Sequence, residues 1–281
     1  MRSANRPITS REYKLILKVD QFGNLKKGSK DFWDMVKSLV KDQGGKDVEE
    51  QGDVKTRRTW YRDTPEYDLR NNGFVLRLRE ESDEAEKYKI TLKYRSPDRY
   101  LSAGQSIKTN GGERKFEEDI IRGFVSKFSN SVSVRKNKLP KLNNMGKVVK
   151  LFSGLEVPGI LVDTPIETVS HGFEAHEMVI WLGQFRFGSK PKVKVCLSFW
   201  YPHAEEAGDD ETPLIGEFSF DYDIPKKELP KKNGLEKYPI KVVDGAKRLF
   251  TVLQEQSDWI DLCGTTKTAY AYTHAEREDS E

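Results

Sequence analysis

The sequence predicts an α+β protein: about eight strands in an antiparallel β-barrel or strongly curved sheet, with helices packed on its outside. Segments in which apolar and polar residues alternate recur along the 281 residues, as half-buried strands require. Most of these segments are joined by short turns that contain Gly, Pro, Asn or Asp. Only a few segments have the periodicity of an amphipathic helix, so a closed or strongly curved sheet with helices outside accommodates the pattern best.

The first half of the chain contains most of the short strands. A strand at 11–20 is followed by an amphipathic helix at 29–43, which ends at Gly44-Gly45. Alternation then predicts strands at 56–62, 73–81, 87–95 and 113–119, and apolar residues at helical spacing predict a short helix at 120–128.

The second half begins with a less regular segment, 130–175, which is interpreted as loops or an insertion. Strands are predicted at 177–187, 191–201, 214–223 and 265–272, and a helix at 243–256 precedes the last of them. Residues 273–281 are polar and are expected to form a flexible tail. No change in composition divides the chain, so residues 1–281 are predicted to form one domain with a core at about 11–272.

Charge and composition narrow the classes of function. Lys and Arg number 48 and Asp and Glu number 45, so the net charge is +3, and a general nucleic-acid binder would have a larger basic excess. No apolar stretch is long enough to cross a bilayer, and the first residues lack the apolar core of a signal peptide. Two cysteines do not form a disulfide framework. These features favour a cytoplasmic protein without membrane partners, and they leave open whether it forms a homodimer.

Charged residues share one face of several predicted strands, because alternate side chains of a strand point to the same side. The charged faces contain Arg77 and Arg79 in 73–81, Lys89, Lys93 and Arg95 in 87–95, Lys115, Glu117 and Asp119 in 113–119, and Glu217 and Asp221 in 214–223. In any single strand, such a face is simply the solvated side of a sheet. If helices cover the apolar outside of a closed barrel, the charged faces must instead converge in its interior.

An interior of this kind suits a polyanionic ligand. Several cations close together repel one another when the site is empty, and a polyphosphate with a divalent cation would relieve the cations and the carboxylates together. Arg pairs with phosphate oxygens through its planar fork. Asp and Glu supply the oxygen ligands that Mg²⁺ or Mn²⁺ prefers.

Several motifs, in their order along the chain, resemble those of the CYTH superfamily, the triphosphate tunnel metalloenzymes. The most specific block lies between 57 and 95 and contains Tyr61-Arg62-Asp63-Thr64, Leu76-Arg77-Leu78-Arg79 and Thr91-Leu92-Lys93-Tyr94-Arg95. Shorter matches follow at Lys115-Phe116-Glu117-Glu118-Asp119, Gly216-Glu217-Phe218-Ser219-Phe220-Asp221 and Thr266-Lys267-Thr268-Ala269-Tyr270. The superfamily includes inorganic triphosphatases, thiamine triphosphatases and class IV adenylate cyclases.

The resemblance implies a fold, an eight-stranded antiparallel β-barrel that encloses a tunnel, and a role for each matching residue. Acidic residues on the tunnel wall would coordinate Mg²⁺ or Mn²⁺, and a metal-positioned water would attack the terminal phosphorus. The residues that would hold phosphate are Lys18, Arg77, Arg79, Lys93, Arg95, Lys115 and Lys267. The carboxylates that would bind metal are Glu117, Asp119, Glu217 and Asp221, of which Glu117 and Asp119 would be the catalytic pair.

The first strand departs from the family's Glu-x-Glu-x-Lys motif. If Lys18 takes the lysine position, Lys14 and Ile16 fill the two glutamate positions, and a register that keeps Glu12 loses the second glutamate and the lysine. A cation in place of a metal ligand weakens divalent binding. Two functions therefore remain: a metal-dependent hydrolase of a small-molecule triphosphate (tripolyphosphate, thiamine triphosphate or a nucleoside triphosphate), and a non-catalytic module that binds a phosphorylated ligand. A cyclase or a nucleic-acid binder is less favoured.

Overall fold

The computed structural model describes residues 6–81, 87–204, 211–224 and 239–278. Its strands are β1 (Ser10–Leu17), β2 (Lys46–Asp63), β3 (Phe74–Glu81), β4 (Tyr88–Ser96), β5 (Glu113–Ile121), β6 (Val125–Lys136), β7 (Glu167–Thr168), β8 (Glu174–Arg186), β9 (Val193–Tyr201) and β10 (Ile215–Asp223). Its helices are α1 (Leu25–Asp42), α2 (Asp68–Asn71), α3 (Arg99–Gly104), α4 (Met145–Leu151), α5 (Val169–Gly172), α6 (Ile240–Gln254) and α7 (Lys267–Glu278).

The ten strands form one sheet, and nine of them close into a ring. The order around the ring is β3-β4-β6-β5-β1-β10-β9-β8-β2, and β2 pairs back to β3. Strand β7 is attached to β2 outside the ring. The predicted mixed α+β structure around a sheet that closes on itself is therefore present.

The ring differs from the predicted eight antiparallel strands in number and in one direction. Strands β1 and β5 are paired in parallel, from Ser10 opposite Glu117 to Tyr13 opposite Ile120. Directions cannot alternate all the way round a ring with an odd number of strands, so nine strands require at least one parallel neighbour. This parallel pair sets Glu12 beside Asp119 on the inner face.

Two of the predicted elements are wrong in type. The helix predicted at 120–128 is instead the tight connection between β5 and β6, in which Ile121 pairs with Val125 and Gly123 adopts a φ of 73°. A left-handed residue of this kind suits a hairpin and would interrupt a helix. Strand β6, which follows, extends to Lys136 in a region interpreted from the sequence as irregular.

The predicted last strand, 265–272, is wrong because α7 begins at Lys267. Its buried side chains recur at helical spacing, with Lys267 followed by Tyr270 and Ala271. Tyr272 donates a hydrogen bond to Asp63 at 2.9 Å, which fastens the helix to the end of β2. The helix includes residues 273–278 of the predicted tail, and residues 279–281 lie outside the described part of the chain.

Helices α1 and α6 cover the outer face of one side of the ring. Phe32 of α1 and Phe250 of α6 are fully buried against apolar side chains of β9 and β10, such as Phe218 and Phe220. The Asn24 side chain caps α1 by accepting a hydrogen bond from the backbone N–H of Lys27 at 2.8 Å. None of the helices in the described ranges combines the length and the apolar composition that a membrane span requires.

The segment between β6 and β8 covers the other side. Met145, Val148 and Phe152 are buried against the outer faces of β3, β4 and β6, where Leu76 and Leu92 are completely shielded from solvent. Residues 130–175 therefore supply part of the outer core. Because apolar side chains occupy the outer faces on both sides, the charged faces of the strands point inward.

Candidate functional site

The ring encloses a cavity of about 520 Å³, which all nine ring strands and the segment that leads into α7 line. Strand β4 shows why the lining is polar: Ile90 and Leu92 point outward into the core, so Lys89, Thr91 and Lys93 point into the cavity. Among the described residues that line it, twelve are Lys or Arg and nine are Asp or Glu. The excess of positive charge favours an anionic occupant over a cationic one.

The structure brings ten of the eleven predicted site residues to this cavity. They are Arg77, Arg79, Lys93, Arg95, Lys115, Glu117, Asp119, Glu217, Asp221 and Lys267. Lys18 is not among the lining residues, because β1 ends at Leu17 and the Lys18 side chain is exposed beyond that end. The inward residues of β1 are instead Ser10, Glu12, Lys14 and Ile16.

One side of the cavity, which we call the basic wall, consists of Arg77 and Arg79 on β3 and Lys89 on β4. Lys89 lies directly opposite Arg79 in the strand register. Within the described residues, Arg77 and Lys89 form no ion pair, and the buried Nε atoms of Arg77 and Arg79 have no hydrogen-bond partner. Three partly buried cations therefore face the cavity, and among them only Arg79 has a carboxylate within ion-pair distance in the described part of the chain.

Burial, together with repulsion from neighbouring cations, lowers the pKa of Lys89 and of Arg79 in the basic wall. Burial, reinforced by the charges of Arg77 and Arg79, lowers the pKa of Lys89 to about 8. Burial and the neighbouring Arg57 and Arg77 lower the pKa of Arg79 to about 9, although Glu177 lies 3.3 Å from its guanidinium. A bound anion would favour the charged forms of both residues and would raise both pKa values again.

Glu177 on β8 is a central residue of the cavity that the sequence analysis did not identify. Its carboxylate is fully buried and contacts Arg57 at 2.6 Å, Arg79 at 3.3 Å and Lys267 at 2.8 Å. Thr59 and Ser198 also donate hydrogen bonds to it, at 2.9 Å and 2.7 Å.

The surroundings of Glu177 determine its charge. Although burial opposes ionisation, the three cations hold the pKa of Glu177 well below its usual range. The sequence signal for this residue is weak, because the other inward residues of β8, Val179 and Trp181, are apolar. The one available clue is a lone carboxylate at the start of an otherwise apolar strand face.

The opposite side, which we call the mixed-charge wall, is formed by β1, β5 and β10. The ammonium of Lys14 lies 2.8 Å from Glu12 and 3.2 Å from Asp119. Asp119 is almost fully buried and also accepts hydrogen bonds from Arg95 and, at 3.0 Å, from Ser129. Although burial acts against ionisation, Lys14 and the neighbouring cations hold the pKa of Asp119 well below its usual range.

Asp221 is the carboxylate of this wall with the least favourable surroundings for ionisation. It lies opposite Glu12 in the register of β1 and β10. Burial and the neighbouring carboxylates of Glu12, Asp223 and Glu117 raise its pKa to about 7, and Lys194 only partly opposes them. Asp221 therefore changes charge near neutral pH.

The residues of this wall, as arranged, do not fit the divalent cation that the family resemblance implies. Mg²⁺ and Mn²⁺ are held by several carboxylate or carbonyl oxygens that converge on one point. Here the Lys14 ammonium lies between Glu12 and Asp119, and Arg95 contacts Asp119 as well. Within the described ranges, no group of three or more His, Cys, Asp or Glu residues is placed to hold a metal ion.

Comparisons with known proteins give matches to solved structures at low identity and low TM-score, and no sequence match. No family model matches the chain, and no curated protein matches it. A solved structure of an adenylyl cyclase candidate from Hippeastrum, described as having a dominant triphosphatase activity, matches with 11% identity and a TM-score of 0.45, over 95% of this chain and 96% of that chain.

Two bacterial structures match over similar lengths. A candidate adenylate cyclase from Bacillus halodurans has 13% identity and a TM-score of 0.38, over 94% of this chain and 99% of that chain. Another from Vibrio parahaemolyticus has 11% identity and a TM-score of 0.37, over 94% and 98%. All three TM-scores are below 0.5, so the proposed function is based on the residues of the cavity and not on these matches. Structures described as adenylyl cyclase candidates thus match nearly the whole chain at low sequence identity.

Proposed function

We propose that the cavity binds the triphosphate group of a small molecule, such as tripolyphosphate, thiamine triphosphate or a nucleoside triphosphate. The observation that carries this proposal is the basic wall, in which Arg77 and Lys89 are turned inward without an ion pair in the described part of the chain. Cations that are partly shielded from solvent and lie side by side in a sheet destabilise one another. A ligand with several negative charges removes that repulsion and satisfies the guanidinium donors bidentately.

The proposal includes the finer fold that the motifs imply, namely that the ring of nine strands is a variant of the triphosphate tunnel. The specific motif block supports it, because Arg77 and Arg79 on β3 and Lys93 and Arg95 on β4 all line one cavity. In the family that this block resembles, these positions hold phosphate.

The contacts rank the phosphate-binding candidates. Arg77, Arg79 and Lys89 come first because a carboxylate neutralises them least. Lys93 and Arg95 are next, since Asp119 already attracts both of them.

Lys267 and Lys115 have weaker claims on a ligand. Lys267 is engaged by Glu177 at 2.8 Å and by Ser198 at 2.5 Å. Lys115 is half exposed and lies 3.6 Å from Glu113, so it would attract a ligand at the cavity's edge.

Metal-dependent hydrolysis of the same triphosphate is the second candidate. It is favoured by the four predicted carboxylates, Glu117, Asp119, Glu217 and Asp221, which all line the cavity. The raised pKa of Asp221 marks an excess of negative charge that a cation would relieve. The position of Lys14 among these carboxylates argues against a metal there, so binding is the better supported of the two functions.

One experiment separates the two functions. Binding of tripolyphosphate, ATP and thiamine triphosphate would be followed by calorimetry, and phosphate release would be measured with Mg²⁺ or Mn²⁺. Wild type would be compared with the double variant Arg77→Ala/Arg79→Ala and with Glu117→Ala. Arg58→Ala is the matched control, because Arg58 on β2 does not line the cavity and is paired with Glu80 and Glu174.

Each outcome has a distinct meaning. Binding that the double variant loses and Arg58→Ala retains supports the proposed function. Phosphate release that Glu117→Ala also abolishes would favour the hydrolase. If wild type binds none of the three compounds, with or without metal, the proposed function is wrong.

A further inference from the structure

We propose that the ammonium of Lys14 takes the place of a divalent cation, so that the cavity binds its triphosphate ligand without metal. This inference rests on the proposed function, because it concerns how the same cavity compensates the charge of its ligand. The reason for it is that the residues of the mixed-charge wall do not fit the divalent cation that the family resemblance implies.

The strand register places three carboxylates in one row across the mixed-charge wall. Glu12 on the central strand β1 lies opposite Asp119 of β5 and opposite Asp221 of β10. Three adjacent carboxylates repel one another and require a cation. In a metalloenzyme, a divalent ion bound by these oxygens would supply that charge.

Lys14 supplies the cation from within the chain. It follows Glu12 by one inward position on β1, and its Nζ atom lies 2.8 Å from Glu12 and 3.2 Å from Asp119. Its side chain is 19% exposed, so the ammonium is shielded from most of the solvent but still borders the cavity. An ammonium has three N–H donors. Two can be directed at these carboxylates, which leaves one for a phosphate oxygen.

The same ammonium opposes the binding of a metal. A divalent ion between Glu12 and Asp119 would have to displace Lys14 and would be repelled by its charge. Mg²⁺ that arrives with the ligand would neutralise phosphate charge that the basic wall attracts. The triphosphate should therefore bind at least as tightly in a chelator as in Mg²⁺.

The test measures binding of tripolyphosphate by calorimetry, first in EDTA and then in excess Mg²⁺. We expect wild type to bind in EDTA and to bind no more tightly in Mg²⁺. Lys14→Gln should lose about tenfold or more in affinity in EDTA, because one hydrogen bond between charged groups is removed. Lys14→Arg should retain metal-free binding, because it keeps the positive charge.

A second readout uses a metal alone. Lys14→Glu restores two glutamates on the inner face of β1, so this variant should bind Mn²⁺ in the absence of tripolyphosphate, as measured by electron paramagnetic resonance of the free ion. Wild type should not. Lys18→Glu is the matched control: it makes the same change of charge four residues further along, outside the cavity, and should behave like wild type.

The outcomes distinguish the inference from the function on which it rests. Wild type that binds tripolyphosphate only when Mg²⁺ is present would overturn the inference and leave the proposed function standing. Wild type that binds under neither condition would overturn both. Unchanged affinity of Lys14→Gln in EDTA would also contradict the role of Lys14. The wild-type comparison needs no variant, so the inference stays testable even if a substitution prevents folding.

Discussion

The basic wall and the mixed-charge wall face each other across one cavity, but they treat buried charge in opposite ways. At the mixed-charge wall, Lys14 of β1 and the cations Lys93 and Arg95, which reach it from β4, each have a carboxylate partner, and Asp119 of β5 is common to all three. At the basic wall, Arg77 and Lys89 have no ion pair among the described residues. The cations at the mixed-charge wall are therefore neutralised by neighbouring side chains, whereas those of the basic wall are not neutralised within the described part of the chain. The two walls should therefore respond differently to mutation, pH and ligand.

The largest effect is expected at Glu177, the carboxylate that lies 3.3 Å from Arg79 of the basic wall. Glu177→Ala leaves Arg57, Arg79 and Lys267 without their shared counter-ion. Removing one partner of a buried ion pair costs about 3–5 kcal/mol in the free energy of unfolding. Denaturant unfolding would measure this cost.

The control for this variant is Glu174→Ala, at a partly exposed carboxylate of β8 that pairs with Arg58 and does not line the cavity. It should cost less than about 1 kcal/mol, as exposed ion pairs do. Tripolyphosphate should restore more stability to Glu177→Ala than it adds to wild type, because it can replace the missing anion. If Glu177→Ala and Glu174→Ala lost equal amounts of stability, Glu177 would not be an important counter-ion of Arg57, Arg79 and Lys267.

The next effect is the pH dependence that Lys89 gives to stability and to ligand affinity, which distinguishes the basic wall from the mixed-charge wall. Its pKa is lowered to about 8, below that of an unfolded lysine at about 10.4. Between these values the unfolded chain holds a proton that the folded chain has lost, so this residue makes stability rise with pH. Over the same range, tripolyphosphate affinity should fall because a ligand-facing charge disappears.

Lys89→Met should flatten both pH dependences and lower affinity at pH 7 by about tenfold or more. Stability and affinity measured from pH 7 to 10.5 would show this. If the affinity of this variant fell above pH 8 as steeply as that of wild type, Lys89 would not be the group responsible for the fall.

A pH effect of opposite sign is expected at Asp221 in the mixed-charge wall. Its pKa is raised to about 7, above the value of about 3.9 in an unfolded chain. Between pH 4 and 7 the folded state holds a proton that the unfolded state has lost. This residue therefore stabilises the fold at low pH, and its contribution falls as pH rises, by up to about 1.4 kcal/mol per pH unit.

Asp221→Asn should remove that part of the slope. Thermal or denaturant unfolding at several pH values between 4 and 7, beside the exposed neighbour variant Asp223→Asn, would test it. If stability depended on pH in the same way in wild type and in Asp221→Asn, the neighbouring carboxylates would not be raising the pKa of Asp221.

The smallest effect is expected for Lys18→Ala. Because Lys18 is exposed and outside the cavity, this change should alter tripolyphosphate affinity by less than about twofold and stability by less than about 0.5 kcal/mol. A loss of affinity comparable to that of the double variant Arg77→Ala/Arg79→Ala would favour the register of β1 in which Lys18 takes the family's lysine position.

Local alternation was sufficient to predict the inward residues of β3 and β4. Arg77, Arg79, Lys93 and Arg95 follow a period of two between apolar residues, and a hairpin translates that pattern directly into a shared face. The same rule failed at 265–272. Thr and Tyr favour strands, and the helical period became apparent only from which side chains the fold buries, such as Ala271.

Residues whose role depends on distant partners were beyond the sequence. Glu177 acquires its importance from Arg57, Arg79 and Lys267, which belong to three other elements. The strand that contains it was predicted, but nothing near it in the sequence indicates three cations. Lys14 was recognised as a departure from a motif. Its distance to Asp119 depends on the parallel pairing of β1 with β5, which an all-antiparallel prediction does not contain.

The pairing of β1 also bears on the order in which the protein assembles during synthesis. Its contacts reach residues 107 positions away on β5 and 211 positions away on β10. Contacts across such separations form late, because the chain loses the entropy of closing a long loop before the contact can stabilise the fold. The hairpin of β3 and β4 is local and can form soon after its residues leave the ribosome. A growing chain therefore has its anion-attracting hairpin well before β1 can pair with β5 and β10 and complete the ring.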